Sequence, residues 1–216
     1  EISLSSGKAV ITSTRPSPPP PKPKAPPAAM AAAVNVIKQQ MAEQQNKIQL
    51  YLQQARSDME AGRFIKAESN LYLVIKLQPQ NKEVQDLLKQ VSEKAKQQRS
   101  DMLIVQAEQE VQYGRPKEAV AIFQKAADVD PPDGKAFFLL ARIRKSVGEN
   151  DSPKELMQLY KKAVQKSPKN LEYRLALAEI YMQLEMTANA YREAQAALEI
   201  DPKNDPAKQI SRKTRP

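Results

Sequence analysis

Four times along this chain the same marks recur in the same order. An alanine sits inside an amphipathic stretch at Ala55, Ala107, Ala141 and Ala178, and seven residues later stand Gly62, Gly114, Gly148 and, as the exception, Glu185. Five positions on come Ala67, Ala119 and Ala190, with Leu156 in the third unit after a three-residue insertion in "GENDSPKE". Twelve residues after these four lie Pro79, Pro131, Pro202 and, in the third unit, Pro168. Between them, Leu71, Phe123, Tyr160 and Ala194 fall four residues on, and Val74, Ala126, Ala163 and Ala197 three further.

This register describes a helical hairpin repeated along an axis. Small residues let two antiparallel backbones approach closely, and glycine supplies the left-handed stop between them. Proline ends the second helix and redirects the chain. One hairpin buries only part of its apolar surface against itself, so it must stack on neighbours, and four units satisfy the usual minimum of about three. The register resembles the tetratricopeptide repeat: the 34-residue period separates Pro168 from Pro202, and the Ala, Gly-turn, Ala, aromatic, Ala, Pro series is fullest over residues 100–131. The chain departs from that pattern in three ways. The bulky aromatic and Leu-Gly pair often found in the first helix are missing or replaced, Pro131 to Pro168 is 37 residues, and Pro79 to Pro131 is 52. The resemblance covers residues 48–202 and implies an all-α fold, a right-handed superhelical array of about four hairpins, here preceded by a long N-terminal helix and a proline-rich linker.

The 52-residue interval contains "NKEVQDLLKQVSEKAKQQRSDMLIVQAEQEVQYG", free of glycine and proline until its end. Val84, Leu87, Leu88, Val91, Ala95, Met102 and Val105 keep helical spacing, which predicts one helix of about 30 residues whose second half opens the next repeat. Ser100-Asp101 capping a new helix after a kink is the alternative.

Residues 1–14 alternate as strand, turn and strand around Ser6-Gly7, and read as the end of an upstream domain or a segment that pairs with a partner's sheet edge. This end is similar to the C-terminus of forkhead-associated domains, over a handful of residues. Residues 15–27, "RPSPPPPKPKAPP", favour polyproline II and read as a semi-rigid spacer, with an SH3-type ligand as the other reading. Residues 28–47 extend the first helix beyond its hairpin. Their stripe of Met30, Val34, Ile37 and Met41 is a short coiled-coil seam or a partner surface, with self-association as one outcome, unless the helix folds back over its own repeats. Residues 203–216 form a basic C-terminal tail offering only Ala207 and Ile210, with Asp205 as a cap. The last hairpin, around Leu177, Ile180 and Leu184, is therefore expected to be incompletely covered.

The chain contains no cysteine and no histidine. Thiolate sites, the commonest general base and the commonest metal ligand are thereby excluded, which argues for a non-enzymatic protein with no catalytic, cofactor-binding or metal residues to nominate and no cofactor. The acidic runs at 128–133 and 149–151 do not match a calcium loop. Net charge is +9, yet residues 51–202 carry 23 basic and 22 acidic groups, so the excess sits in the tails. A balanced body argues against nucleic acid as the main partner and leaves a nucleic-acid-associated protein held by its basic tails as the alternative. No stretch is long and apolar enough for a transmembrane segment, which fits a soluble protein of cytoplasm or envelope.

The resemblance to tetratricopeptide repeats implies a concave surface, lined by first helices, that holds a segment of a protein partner. Residues one after each first-helix alanine are expected to face it, namely Arg56, Glu108, Arg142 and Glu179, as are Met59, Lys145 and Met182 four after, with Val111 between them. Three before the alanines come Leu52, Ile104, Phe138 and Leu175, of which Leu52, Ile104 and Leu175 read better as packing between hairpins. Relatives that clamp a chaperone's terminal carboxylate carry Asn and Lys at these inward places, where this chain has Arg and Glu. The expected function is a scaffold or adaptor that binds protein segments within a larger assembly.

Overall fold

The computed structural model describes residues 28–148 and 152–215. The strand-like segment 1–14 and the proline-rich segment 15–27 lie outside those residues. Among the described residues the chain is all helical, with α1 (Ala28–Glu60), α2 (Phe64–Leu77), α3 (Lys82–Gln112), α4 (Pro116–Asp128), α5 (Lys135–Val147), α6 (Pro153–Lys166), α7 (Leu171–Gln183), α8 (Thr187–Ile200) and α9 (Asp205–Thr214). Among the described residues no helix is long and apolar enough to cross a membrane. The chain divides into two units, residues 1–43 and 44–216. In the first, the described residues belong to the start of α1, and every side chain from Met30 to Glu43 is exposed.

In the second unit the end of α1 pairs with α2, α3 with α4, α5 with α6 and α7 with α8. The alanines that mark the sequence register are fully buried, as are Leu71 and Val74, and Phe123, Leu156 and Tyr160 nearly so. A larger residue at any of these alanines would force two backbones apart. Gly62, Gly114 and Gly148 have φ of +70°, +72° and +66°, and Glu185 takes the fourth place with φ +58°. Backbone N–H groups close three of the turns: Arg63 donates to the Asp58 carbonyl at 2.7 Å, Arg115 to Glu110 at 2.9 Å and Met186 to Tyr181 at 2.9 Å. The exception in sequence is thus no exception in geometry. Glu185 adopts the left-handed conformation at a cost of about 1 kcal/mol.

Three junctions between hairpins share a second device. Two residues after Pro79, Pro168 and Pro202 an asparagine caps the next helix: Asn81, Asn170 and Asn204 accept from the N–H groups of Val84, Tyr173 and Ala207 at 3.2, 3.2 and 3.0 Å. Asn204, rather than Asp205, therefore caps α9, and Asp205 is its first residue. At the remaining junction Pro131 is fully buried, and Gly134 opens α5 with its N–H donating to Ser167 Oγ at 3.0 Å.

The long interval is one helix. Ser100 does not cap a second helix within α3, because its buried hydroxyl donates across to the Ala126 carbonyl of α4 at 3.2 Å. The helix serves two cores in turn: Val84 and Val91 pack with α1 and α2, while Ile104 and Ala107 pack with α4 and α5. Met102 and Val105 do not join this packing and stand 63% and 55% exposed.

The C-terminus corrects the expectation of an uncovered final hairpin. Residues 205–214 are helical, Ala207, Ile210 and Thr214 are buried, and Gln195 of α8 donates to Ser211 Oγ at 2.7 Å. Leu177 and Ile180 are buried and Leu184 partly so. The face to be covered is rich in alanine, so a narrow apolar row at i, i+3 and i+7 suffices. The basic residues Arg212 and Lys213 occupy the last turn of α9, where the helix dipole favours cations.

Candidate functional site

The candidate groove residues separate into three groups. Arg142, Glu108, Lys145, Glu179 and Arg56 are exposed, Met59 and Met182 are half-buried against the two cores, and Phe138 is only 5% exposed. Phe138 therefore leaves the set of direct contacts and serves as a floor. Of the positions read as packing, Ile104 is buried and Leu52 and Leu175 are packed against the cores.

The geometry converges on Arg142. Its guanidinium carbon lies 5.5 Å from the Phe138 ring centroid, within cation–π range, and its Nη1 is 3.6 Å from Glu172 Oε1. Phe138 in turn stacks on Tyr173 at 4.6 Å between centroids with 28° between planes, and meets Tyr160 at 5.9 Å and 56°. Offset and tilted pairs of this kind are worth about 0.5–1.5 kcal/mol beyond their area burial. Three hairpin helices are thereby held to one another: α5 supplies Phe138 and Arg142, α6 supplies Tyr160 and α7 supplies Tyr173.

Beside Arg142, Glu108 of α3 and Val111, Leu139, Ile143 and Ser146 border a cavity of about 400 Å³. Its walls are mixed, with Val111, Phe123, Leu139 and Ile143 beside Gln112 and Ser146, and Glu108 and Arg142 supply an acid and a base. The Tyr160 phenol is raised above its ordinary value of 10.0, chiefly by burial and next by the Glu179 carboxylate, while Arg142 opposes the shift. Burial also raises Tyr173, with Asp133 and Glu172 adding to it and Arg142 again opposing. Glu179 and Arg142 therefore act on the same aromatic floor although they sit on different helices. Such a surface offers charge of both signs beside apolar and aromatic side chains.

Arg56 belongs to a separate cleft of about 470 Å³ bordered by Gln49, Leu52, Gln53, Ser57 and Glu60. Spacing from the first-helix alanines thus placed Glu108, Arg142 and Glu179 near one centre and Arg56 at another. It missed Glu172, which lies six residues before Ala178 and outside the rule that selects positions after the alanine. The available signal was its place in the first turn after Asn170, where an acid is favoured by the helix dipole.

Residues 153–212 match the family model described as a tetratricopeptide repeat. A search of the curated proteins returns no match. Among solved structures, the first repeat domain of Spaghetti (RPAP3) bound to an HSP90 peptide aligns at 18% identity over 54% of this chain and 90% of that one, with a TM-score of 0.47. The MamA protein aligns at 15% identity over 78% and 80%, with a TM-score of 0.46. A tetratricopeptide repeat protein from Parabacteroides merdae aligns at 16% identity over 79% and 60%, with a TM-score of 0.47. The segment from α6 to α9 is thus a tetratricopeptide repeat segment, and the same Ala, turn, Ala, proline register is held in four hairpins.

Proposed function

We propose that this protein is a non-enzymatic scaffold that binds a protein segment on the surface formed by Glu108, Arg142, Glu172 and Glu179, within a larger multiprotein assembly. The observation that carries the reading is the environment of Arg142. The side chain is 61% exposed, its base is held over Phe138, and its contact with Glu172 at 3.6 Å is long for an ion pair. The guanidinium is thus positioned yet still able to take a carboxylate in a bidentate fork. The cavity beside it, lined by both apolar and polar side chains, accepts one side chain of the same segment, and Glu108 and Glu179 select a base nearby.

A photo-reactive residue at Glu108 or Ser146, in the native source, tests this directly. Both positions are expected to crosslink the same protein segment, and Arg142→Glu is expected to abolish the crosslink. A photo-reactive residue at Arg212 of α9 is expected not to capture that segment. Equal capture from all three positions, or capture that survives Arg142→Glu, contradicts the proposal.

A further inference from the structure

The far side of α7 carries a second surface. Leu177 and Tyr181 stand about 140–180° around that helix from Glu172 and Glu179, so they turn away from the Arg142 site. There α6 and α8, each packed against α7, wall an open cavity of about 430 Å³. Val164 of α6 and Leu177 and Tyr181 of α7 are buried and form its floor. Met157 on one wall and Met186, at the start of α8, on the other add adaptable apolar side chains, beside the uncharged polar groups of Gln165 and Asn189.

Charge at this cavity is one-sided. Three charged residues border it, Lys161, Arg192 and Glu193, and the acid is already engaged, since Glu193 Oε2 accepts from Arg174 Nη1 at 2.7 Å. Lys161 on α6 and Arg192 on α8 are exposed, and neither meets a carboxylate among the described residues; Arg192 donates to the Asn189 side chain of its own helix. The positions three and four residues from each cation along its helix hold no acid. The Tyr181 hydroxyl has no hydrogen-bond partner among the described residues, and its phenol is raised by burial, with Glu193 adding to the shift and Arg192 opposing it. Cations on opposite walls with a phenol O–H beside them call for acceptors on both sides of an apolar group. A single terminal carboxylate satisfies one wall only, and a nucleic-acid backbone leaves the apolar floor unfilled.

We propose that this cavity docks an internal acidic segment of a protein partner, seating one bulky apolar side chain on Val164 and Leu177 and pairing an acidic residue on either side of it with Lys161 and Arg192. The site is separate from the Arg142 surface and stands or falls independently of it.

A random peptide library displayed on phage tests this, selected on the full-length chain and counter-selected on the same chain carrying Lys161→Glu with Arg192→Glu. Surviving peptides are expected to share a bulky apolar residue with Asp or Glu within about three positions on both sides. Synthesised and titrated, they are expected to bind Met186→Asp at least about tenfold more weakly than wild type, and to bind wild type more weakly as salt rises from about 50 to about 300 mM. Lys161→Arg with Arg192→Lys should retain binding, as should Arg142→Glu and a peptide whose C-terminus is amidated. Lys161, Arg192 and Met186 are all exposed, so the variants should melt within about 3 °C of wild type. No surviving peptide, survivors without acidic residues, or affinity indifferent to salt or to Met186→Asp would overturn the proposal. Loss on amidation would show a terminal carboxylate instead, and loss with Arg142→Glu would assign the peptides to the other site; either result overturns it too.

Discussion

Gly134 is where one methyl group should do most harm. It opens α5 with φ −90° and ψ −1°, a conformation open to any residue, so backbone preference does not require glycine there. Space does. A Cβ at this position would lie 2.3 Å from the Ala163 carbonyl oxygen and 2.8 Å from both its carbonyl carbon and Cα. Non-bonded atoms in proteins sit at about 3.5–4 Å, so the start of α5 and the end of α6 would have to part by more than about 1 Å. Overpacking typically costs about 1–3 kcal/mol, and backbone on both sides of the clash places this case at the upper end. The movement also weakens the bond from the Gly134 N–H to Ser167 Oγ, worth about 1 kcal/mol. Alanine recovers about 0.4–1 kcal/mol by restricting the unfolded chain. The net expectation for Gly134→Ala is a loss of about 3 kcal/mol, or about 6–12 °C in melting temperature for a chain of this size. Gly114→Ala is the control, since its φ is +72° and nothing lies within 4 Å of an added Cβ. That change should cost only the left-handed strain, about 1 kcal/mol. Thermal and urea unfolding followed by circular dichroism measure both. A Gly134→Ala protein as stable as Gly114→Ala or more so would refute the close approach of α5 and α6.

Three further outcomes follow from the same contacts. Glu185→Gly should be neutral to stabilising by up to about 1 kcal/mol in urea unfolding, since it relieves a left-handed residue while loosening the unfolded chain. Deleting residues 203–216 should expose the last hairpin and lower the melting temperature by several degrees through loss of buried Ile210 and Ala207, whereas Arg212→Glu should leave it within about 0.5 kcal/mol. Burial holds the phenols of Tyr160, Tyr173 and Tyr181 above their ordinary value of 10.0, so folding favours their neutral forms. The stability this contributes is full below about pH 10 and falls as pH climbs from there through the raised values; urea midpoints across that range, alongside ultraviolet phenolate absorbance, should show it.

Much of the fold was legible because the features that specify it are local. The alanines, turn glycines and prolines act within a few residues of themselves, and the alanines and glycines sit in the geometry their types imply, while Glu185 takes a glycine's left-handed place against its own preference. One reading failed. Sparse apolar content implied an uncovered final hairpin, yet the alanine-rich surface ahead of α9 asks for little apolar area. Met102 and Val105 keep the helical spacing of α3 and stand exposed, because the packed face shifts as its partner changes from α2 to α4. Candidate site residues were readable to the extent that they follow the first-helix alanines. Arg142 and Glu108 obey that spacing, while the pairing with Glu172 and the cavity between Lys161 and Arg192 arise from helices brought together across roughly 30 residues of sequence, a relation no local pattern contains.

The most direct test of the account is a binding titration. The protein segment captured at Glu108 and Ser146 is synthesised as a peptide and titrated against the wild-type chain, Arg142→Glu, and Arg212→Glu as a surface control. The account predicts that Arg142→Glu weakens binding by at least about tenfold, equivalent to about 1.4 kcal/mol, with unfolding unchanged, while Arg212→Glu binds as wild type. Equal affinity for all three, or equal loss in both variants, would contradict a partner site centred on Arg142.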